Sequence, residues 1–284
     1  MVTWRGERSV FLPELDLRVK RRGQSRVQML FLKFNLTEKN ALNRFAILSV
    51  LLLAALPALA EPAGLPEDVL ARYREALDRQ QQTMKDVAMD VTMEAKIPKL
   101  KKEGTLNALR QISQIGRVTY KIIGFFGDDT VKKEVMARYM TAEVESAGNK
   151  KSSELALTPE NYNFKYKGLN NKEGHEVHVF ELKPRAKRVG LFKGELWIDP
   201  QTYLPVREQG RFVKSPSVFI KKVDFVRNYE IRDGVAYLTH LESTTDTRIV
   251  GVAQLDIDYC NYHEEPAAEQ PVEEAKRALL NTLR

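Results

Sequence analysis

Between residues 87 and 97 the chain alternates without a break, with Val87, Met89, Val91, Met93, Ala95 and Ile97 set against Ala88, Asp90, Thr92, Glu94 and Lys96. A period of two over this length predicts a long strand with one apolar face. Residues 255–260 repeat the pattern, Leu255, Ile257 and Tyr259 against Asp256, Asp258 and Cys260. Two stretches follow the helical period instead. In 66–82, Val69, Leu70, Tyr73 and Leu77 recur at helical spacing, Pro66 suits the first turn, and Glu67 and Asp68 suit its dipole. In 129–146, Val131, Val135, Met136, Tyr139, Met140 and Val144 form one stripe, with Lys132, Lys133, Arg138 and Glu143 expected on the solvent side.

Strands are also expected over 104–113 and 117–126, and from about 160 to 262. In that last region turns are read at 168–171, Asp199-Pro200, Ser215-Pro216 and 232–234. A linker rich in Glu, Pro and Ala (264–272) and a short polar helix (about 272–283) end the chain. So many strands must hide an apolar face, and two amphipathic helices are at hand to cover it. The expected fold is mainly β with some α: a curved antiparallel sheet forming an open half-barrel under a helical lid. The expected domain spans 61–262, with 263–284 as linker and C-terminal helix.

Residues 45–56, FAILSVLLLAAL, carry no charge and follow Arg44; Pro57 and Ala58-Leu59-Ala60 come next. This is the layout of a cleavable signal peptide cut after Ala60, and the run is shorter than the ~20 apolar residues of a membrane span. Met29 is an alternative start. The expected location is the periplasm.

Removing the leader changes the charge. The 284-residue chain holds 45 Lys and Arg and 38 Asp and Glu. Taking away the leader's ten and four leaves 35 and 34, close to neutral. The basic balance that would invite a nucleic-acid reading belongs mostly to the leader. A lone cysteine, Cys260, allows neither an internal disulfide nor a CxxC pair.

The most distinctive stretch is GELWIDPQTYLPVREQG, residues 194–210. Asp199-Pro200 is good turn chemistry between two strands. A catalytic role for Asp199 would need a base, a second carboxylate or a metal ligand beside it, and no sequence neighbour supplies one. His175 and His178 fall on opposite faces of a strand and make a poor metal pair. HExxH, GxSxG and Gly-rich phosphate loops are absent. No catalytic role and no cofactor is expected.

The hairpin, through Gly194, Trp197, Ile198, Asp199, Pro200, Thr202, Pro205, Val206 and Arg207, resembles the outer-membrane lipoprotein-sorting family of LolA-like periplasmic carriers. The order of elements is similar across most of 64–262. The Arg-Pro pair that such carriers tend to carry in an early strand is missing; Arg110 and Arg117 lie there without a Pro. The resemblance implies an open barrel with a helical lid, an apolar cavity and carriage of acyl chains on a lipoprotein or a free lipid. It further implies an inner-membrane exporter and an outer-membrane acceptor as partners; with the near-neutral charge, no nucleic-acid partner is expected, and the expected state is a monomer.

On that reading the cavity wall and lid would be Val87, Met89, Val91, Met93, Val131, Val135, Met136, Tyr139, Met140, Trp197, Leu255, Ile257 and Tyr259. The bland alternative for this set is ordinary core. A mouth loop would pair the cations Arg185, Lys187 and Arg188 with an apolar tip, Leu191 and Phe192. A sensor or interaction domain of the same fold, binding a lipid signal and a regulatory protein, is the second functional reading.

Overall fold

The computed structural model describes residues 66–147, 151–266 and 270–283. The expected leader, its expected cleavage site and the alternative start lie outside them. Leu59–Arg284 forms one compact unit that holds every described element. No helix among the described residues is long and apolar enough to cross a membrane.

Ten strands form one antiparallel sheet. They are β1 (Val87–Ile97), β2 (Lys102–Ile112), β3 (Val118–Gly127), β4 (Tyr162–Lys172), β5 (His175–Pro184), β6 (Phe192–Ile198), β7 (Pro205–Phe212), β8 (Ile220–Arg232), β9 (Val235–Thr247) and β10 (Val252–Glu264). The spatial order is β3-β2-β1-β10-β9-β8-β7-β6-β5-β4, so the sheet is open, with β3 and β4 as its edges. Every neighbour pair except β1–β10 is a consecutive hairpin or meander; pairing the first strand with the last draws the sheet's middle together.

Three longer helices cover one face, with a short helical turn, Lys151–Leu155, bringing Leu155 against it. Helix α1 is Pro66–Thr83. Helix α2 runs through Asp129–Val131, a π-helical turn Lys132–Met136, and Ala137–Ala147. Its start is capped by Asp128, whose carboxylate accepts from the Thr130 amide at 2.7 Å. Helix α3 is Val272–Thr282.

The expected polar C-terminal helix is amphipathic in the structure. Ala275, Leu279 and Leu283 are buried in the same core as α2, and Lys276 pairs with Glu145. Only Ala275 and Leu279 within the eleven-residue helix, with Leu283 just past its end, carry that stripe, so composition alone reads the segment as polar.

One turn also moves. The strand β4 runs through 168–171, the expected turn, because Gly168 (φ +100°) sits at a bulge in the ladder. The chain reverses instead at Glu173 and Gly174, both with positive φ (52° and 85°), the geometry of a two-residue hairpin turn.

The covered face carries two apolar cores. The first gathers β1, β2, β10, α2 and α3. The second gathers β4, β5, β6 and Phe225 under α1, which presents Val69 and Tyr73. Helix α1 is also clipped to β9 by Gln80, whose side chain donates to the Ala236 carbonyl (2.6 Å) and accepts from its amide (2.9 Å).

Candidate functional site

Strand pairing lines up one inner-face row across all ten strands: Phe125, Leu106, Met93, Ile257, Leu241, Arg227, Glu208, Leu196, Phe180 and Tyr166. The row is apolar at both ends and ionic in the middle. Arg227 Nη1 lies 3.1 Å from Glu208 Oε2. Glu208 is buried, while Arg227 keeps about a third of its side chain open (35%). Burial works against the Arg227 charge, but Glu208 outweighs it and raises the pKa. Burial, then Glu208, likewise pushes Tyr73 and Tyr229 upward, so both hydroxyls stay protonated. The two cores are therefore separated by a strip of charge and hydroxyl.

Twelve of the thirteen expected wall and lid residues meet in the first core. Met89, Val91, Met93 and Ile257 on the strands, with Val131, Met136 and Met140 on α2, are almost wholly enclosed. Val87, Leu255 and Tyr259 join them, with Val135 and Tyr139 partly buried at the margin. The helix therefore closes on the sheet through apolar contact, edged by polar contacts that include the Tyr139 and Tyr259 hydroxyls at 3.0 Å.

Trp197 is elsewhere. Leu196 and Ile198 point into the second core, so alternation sends Trp197 to the other face, where it packs with Val177, Val179 and Val206. Arg207 and Lys172 lie over its ring at 5.0 and 5.5 Å, and its indole donates to Glu195 at 3.0 Å.

The expected mouth loop is pinned rather than projecting. Leu191 and Phe192 are buried in the second core. Arg185 donates to the Pro159 carbonyl at 2.7 Å and Arg188 reaches Glu154 at 3.5 Å. Lys187 stays exposed. Leu191 and Phe192 are apolar because they fill the second core where the chain enters β6, not because they form a tip.

Asp199 is committed to its turn. One carboxylate oxygen accepts from the Gln201 amide (3.1 Å), the Thr202 amide (2.7 Å) and the Thr202 hydroxyl (2.7 Å). The hairpin that stands out in sequence is a built corner. Among the described residues no group of three His, Cys, Asp or Glu is placed to hold a metal ion.

A polar clasp between sheet and lid did not emerge from the sequence. Arg110, on the inward face of β2, donates to Glu143 of α2 at 2.6 and 3.1 Å, and Tyr120 of β3 donates to the other carboxylate oxygen. Glu143 was expected among the solvent-facing residues. It follows Tyr139 by four, so it shares the inward stripe, and an arginine at an inward position of β2 was the available hint. Burial alone would raise the Glu143 carboxyl; Arg110 and Tyr120 overcome it and lower the pKa.

His178 is a second buried polar group. Its Nδ1 lies 2.8 Å from the Tyr166 hydroxyl, and its ring stacks on Tyr203, which Arg72 of α1 covers. Burial lowers its pKa below the ordinary 6.5, against Glu176 and Asp199, which favour the charge. A His held neutral in the fold stabilises above the unfolded pKa, and that contribution is lost as pH falls. His240, raised overall by Asp258 and Glu242 against its own desolvation, acts in the opposite sense. His178→Gln is therefore expected to flatten the loss of thermal midpoint below pH 6.5 relative to the parent. Parallel slopes for the two proteins in melts between neutral and acid pH would contradict this.

The architecture is an open antiparallel sheet wrapped on one side by helices. No family model and no curated protein matches the chain. Among solved structures it is similar to a LolA superfamily protein from Nitrosomonas europaea, 10% identical with a TM-score of 0.41, over 72% of this chain and 94% of that one. It is also similar to an outer-membrane lipoprotein-sorting protein domain from Vibrio parahaemolyticus, 14% identical with a TM-score of 0.38, over 76% and 98%. The MucB protein of Pseudomonas aeruginosa, solved with MucA, is 11% identical with a TM-score of 0.24, over 69% and 99%. The functional reading rests on this chain's own geometry.

Proposed function

We propose that this protein is an exported, non-catalytic carrier that shelters acyl chains of a lipid or lipoprotein between α2 and the sheet. The observation that carries the reading is the contact between them: Val131, Met136 and Met140 close on Met93 and Ile257 by apolar burial. An acyl chain offers the same kind of surface, so it can replace those contacts as the helix lifts. Each methylene buried contributes about 0.8 kcal/mol. Methionines suit a variable chain, because their side chains re-pack easily. The π-helical turn at Lys132–Met136 lies within the segment that would move, and such turns recur at functional sites. The Arg227–Glu208 strip would meet the polar part of the cargo, where the apolar row is interrupted.

Native mass spectrometry of the protein recovered from the periplasmic fraction, followed by lipid extraction, is the test. A bound species with acyl-chain mass supports carriage. An apo mass that takes up neither added phospholipid nor acylated peptide overturns it and favours the sensing domain.

A further inference from the structure

Three connections gather at one end of the sheet. Strands β1 and β2 join through 98–101, β7 and β8 through 213–219, and β9 and β10 through 248–251. Pairing places them together: Lys96 lies opposite Gln254 and Ile220 opposite Thr247, so all three loops leave the same end of the sheet.

The loops are built against one another. Arg248 donates its amide to the Phe219 carbonyl and its Nε to the Val218 carbonyl, both at 2.9 Å. Lys99 lies over Gly251, its Cδ 3.3 Å from where a Cβ would stand. Holding the backbone of 218–219 from below turns its side chains outward.

What these loops present is unusual for a solvated surface. Val218 is 78% exposed, Ile249 64% and Phe219 55%, with Leu100 in the first connection and Val252 at the start of β10 also exposed. Around them stand Lys99, Lys101, Lys214, Lys221, Lys222 and Arg248, while residues 98–101, 213–222 and 248–252 contain no carboxylate. Lys99, Lys101 and Lys214 make no ion pair among the described residues; Lys221 and Lys222 reach Asp246 and Asp224 only at 3.5 and 3.7 Å. Apolar tips ringed by cations, at least half of them without a carboxylate partner among the described residues, match an interface that is apolar within and anionic at its surface.

We propose that this end of the sheet docks on an anionic lipid bilayer, with Val218, Phe219 and Ile249 entering the headgroup region and the lysines meeting lipid phosphates. The inference rests on the carrier reading for its purpose, delivery at a membrane, and stands on its own geometry otherwise. An acidic protein partner would meet the lysines but offers no reason for three exposed apolar tips on separate loops. Helix α2 begins at the same end, following β3, so docking would bring the start of the lid near the membrane.

Vesicle sedimentation tests this with the leaderless chain, residues 61–284, which keeps every described element. The probes are phosphatidylcholine vesicles and phosphatidylcholine vesicles containing phosphatidylglycerol. The protein is expected to sediment with the anionic vesicles, to be released by raised salt, and to ignore the neutral ones. Lys101→Glu with Lys214→Glu should lower partitioning on the order of tenfold. Val218→Ser with Phe219→Ser should weaken it while leaving the thermal midpoint unchanged, since both side chains are exposed.

Equal binding to both vesicles, no binding, or variants that bind like the parent would overturn the proposal. So would tip-dependent capture of soluble polyglutamate without vesicle binding. Acyl uptake measured without vesicles separates the two readings. Uptake lost with vesicle binding kept removes the carrier and leaves the tip; the reverse removes the tip alone.

Discussion

Gly194→Ala is expected to lower the thermal midpoint by roughly 6–12 °C, the equivalent of about 3 kcal/mol in a chain of this size. A Cβ at 194 would stand 1.9 Å from the Gln209 carbonyl oxygen and 2.6 Å from the Gly210 Cα. Those atoms are backbone of the paired strand, so relief requires β6 and β7 to part. Gly210, opposite Gly194, is closed in the same way, its Cβ position lying 2.5 Å from the Lys193 carbonyl oxygen and 2.6 Å from the Phe192 ring. The close approach lets Phe192 and Phe212 both reach Phe225, at ring distances of 4.8 and 5.3 Å. Parting the strands would loosen that aromatic group, and with it the second core. Differential scanning calorimetry reads the effect directly. A midpoint within a degree or two of the parent would mean that the two strands separate at little cost.

Glu143→Ala should cost about 3 kcal/mol and loosen α2 before the rest of the fold. The substitution leaves Arg110, with only 13% of its side chain exposed, facing an apolar lid without its carboxylate, and deprives the Tyr120 hydroxyl of its acceptor. Removing one partner of an enclosed pair is far more damaging than removing both. Arg110→Met combined with Glu143→Leu should therefore recover most of the loss. Hydrogen exchange would show faster opening at Ala137–Ala147 than in the sheet for the single variant.

The clasp also has a pH signature. A carboxyl held below its ordinary value of 4.5 contributes stability above that pH and loses it as pH falls through the lowered value. Glu143→Gln should remove that part of the acid sensitivity. If the single and double variants are equally destabilised, the pair is not what holds the helix.

Much of the architecture was legible because periodicity is local. The alternation of 87–97 and 255–260 and the stripe of 129–146 each state which residues share a face, and twelve of the expected wall residues do meet. The D-P corner and the Asp233-Gly234 turn are short-range chemistry and stand where they were read. The turn near 170 was misplaced because a glycine with positive φ serves a bulge as readily as a reversal. Trp197 shows the limit of alternation. The sequence states that it opposes Leu196 and Ile198, but which side of the sheet the helices cover is set by contacts far along the chain.

The same holds for the features that give the site its character. By itself the sequence determined the apolar faces of 66–82, 87–97, 129–146 and 255–260 and the hairpin's turn, since these depend on spacing within a few residues. The tertiary structure alone decided three things: that Arg110 meets Glu143, that Arg227 and Glu208 interrupt an apolar row, and that three separate basic loops share one end of the sheet. Each depends on strand register and order, and those are set by the burial of whole faces against distant partners rather than by any local pattern.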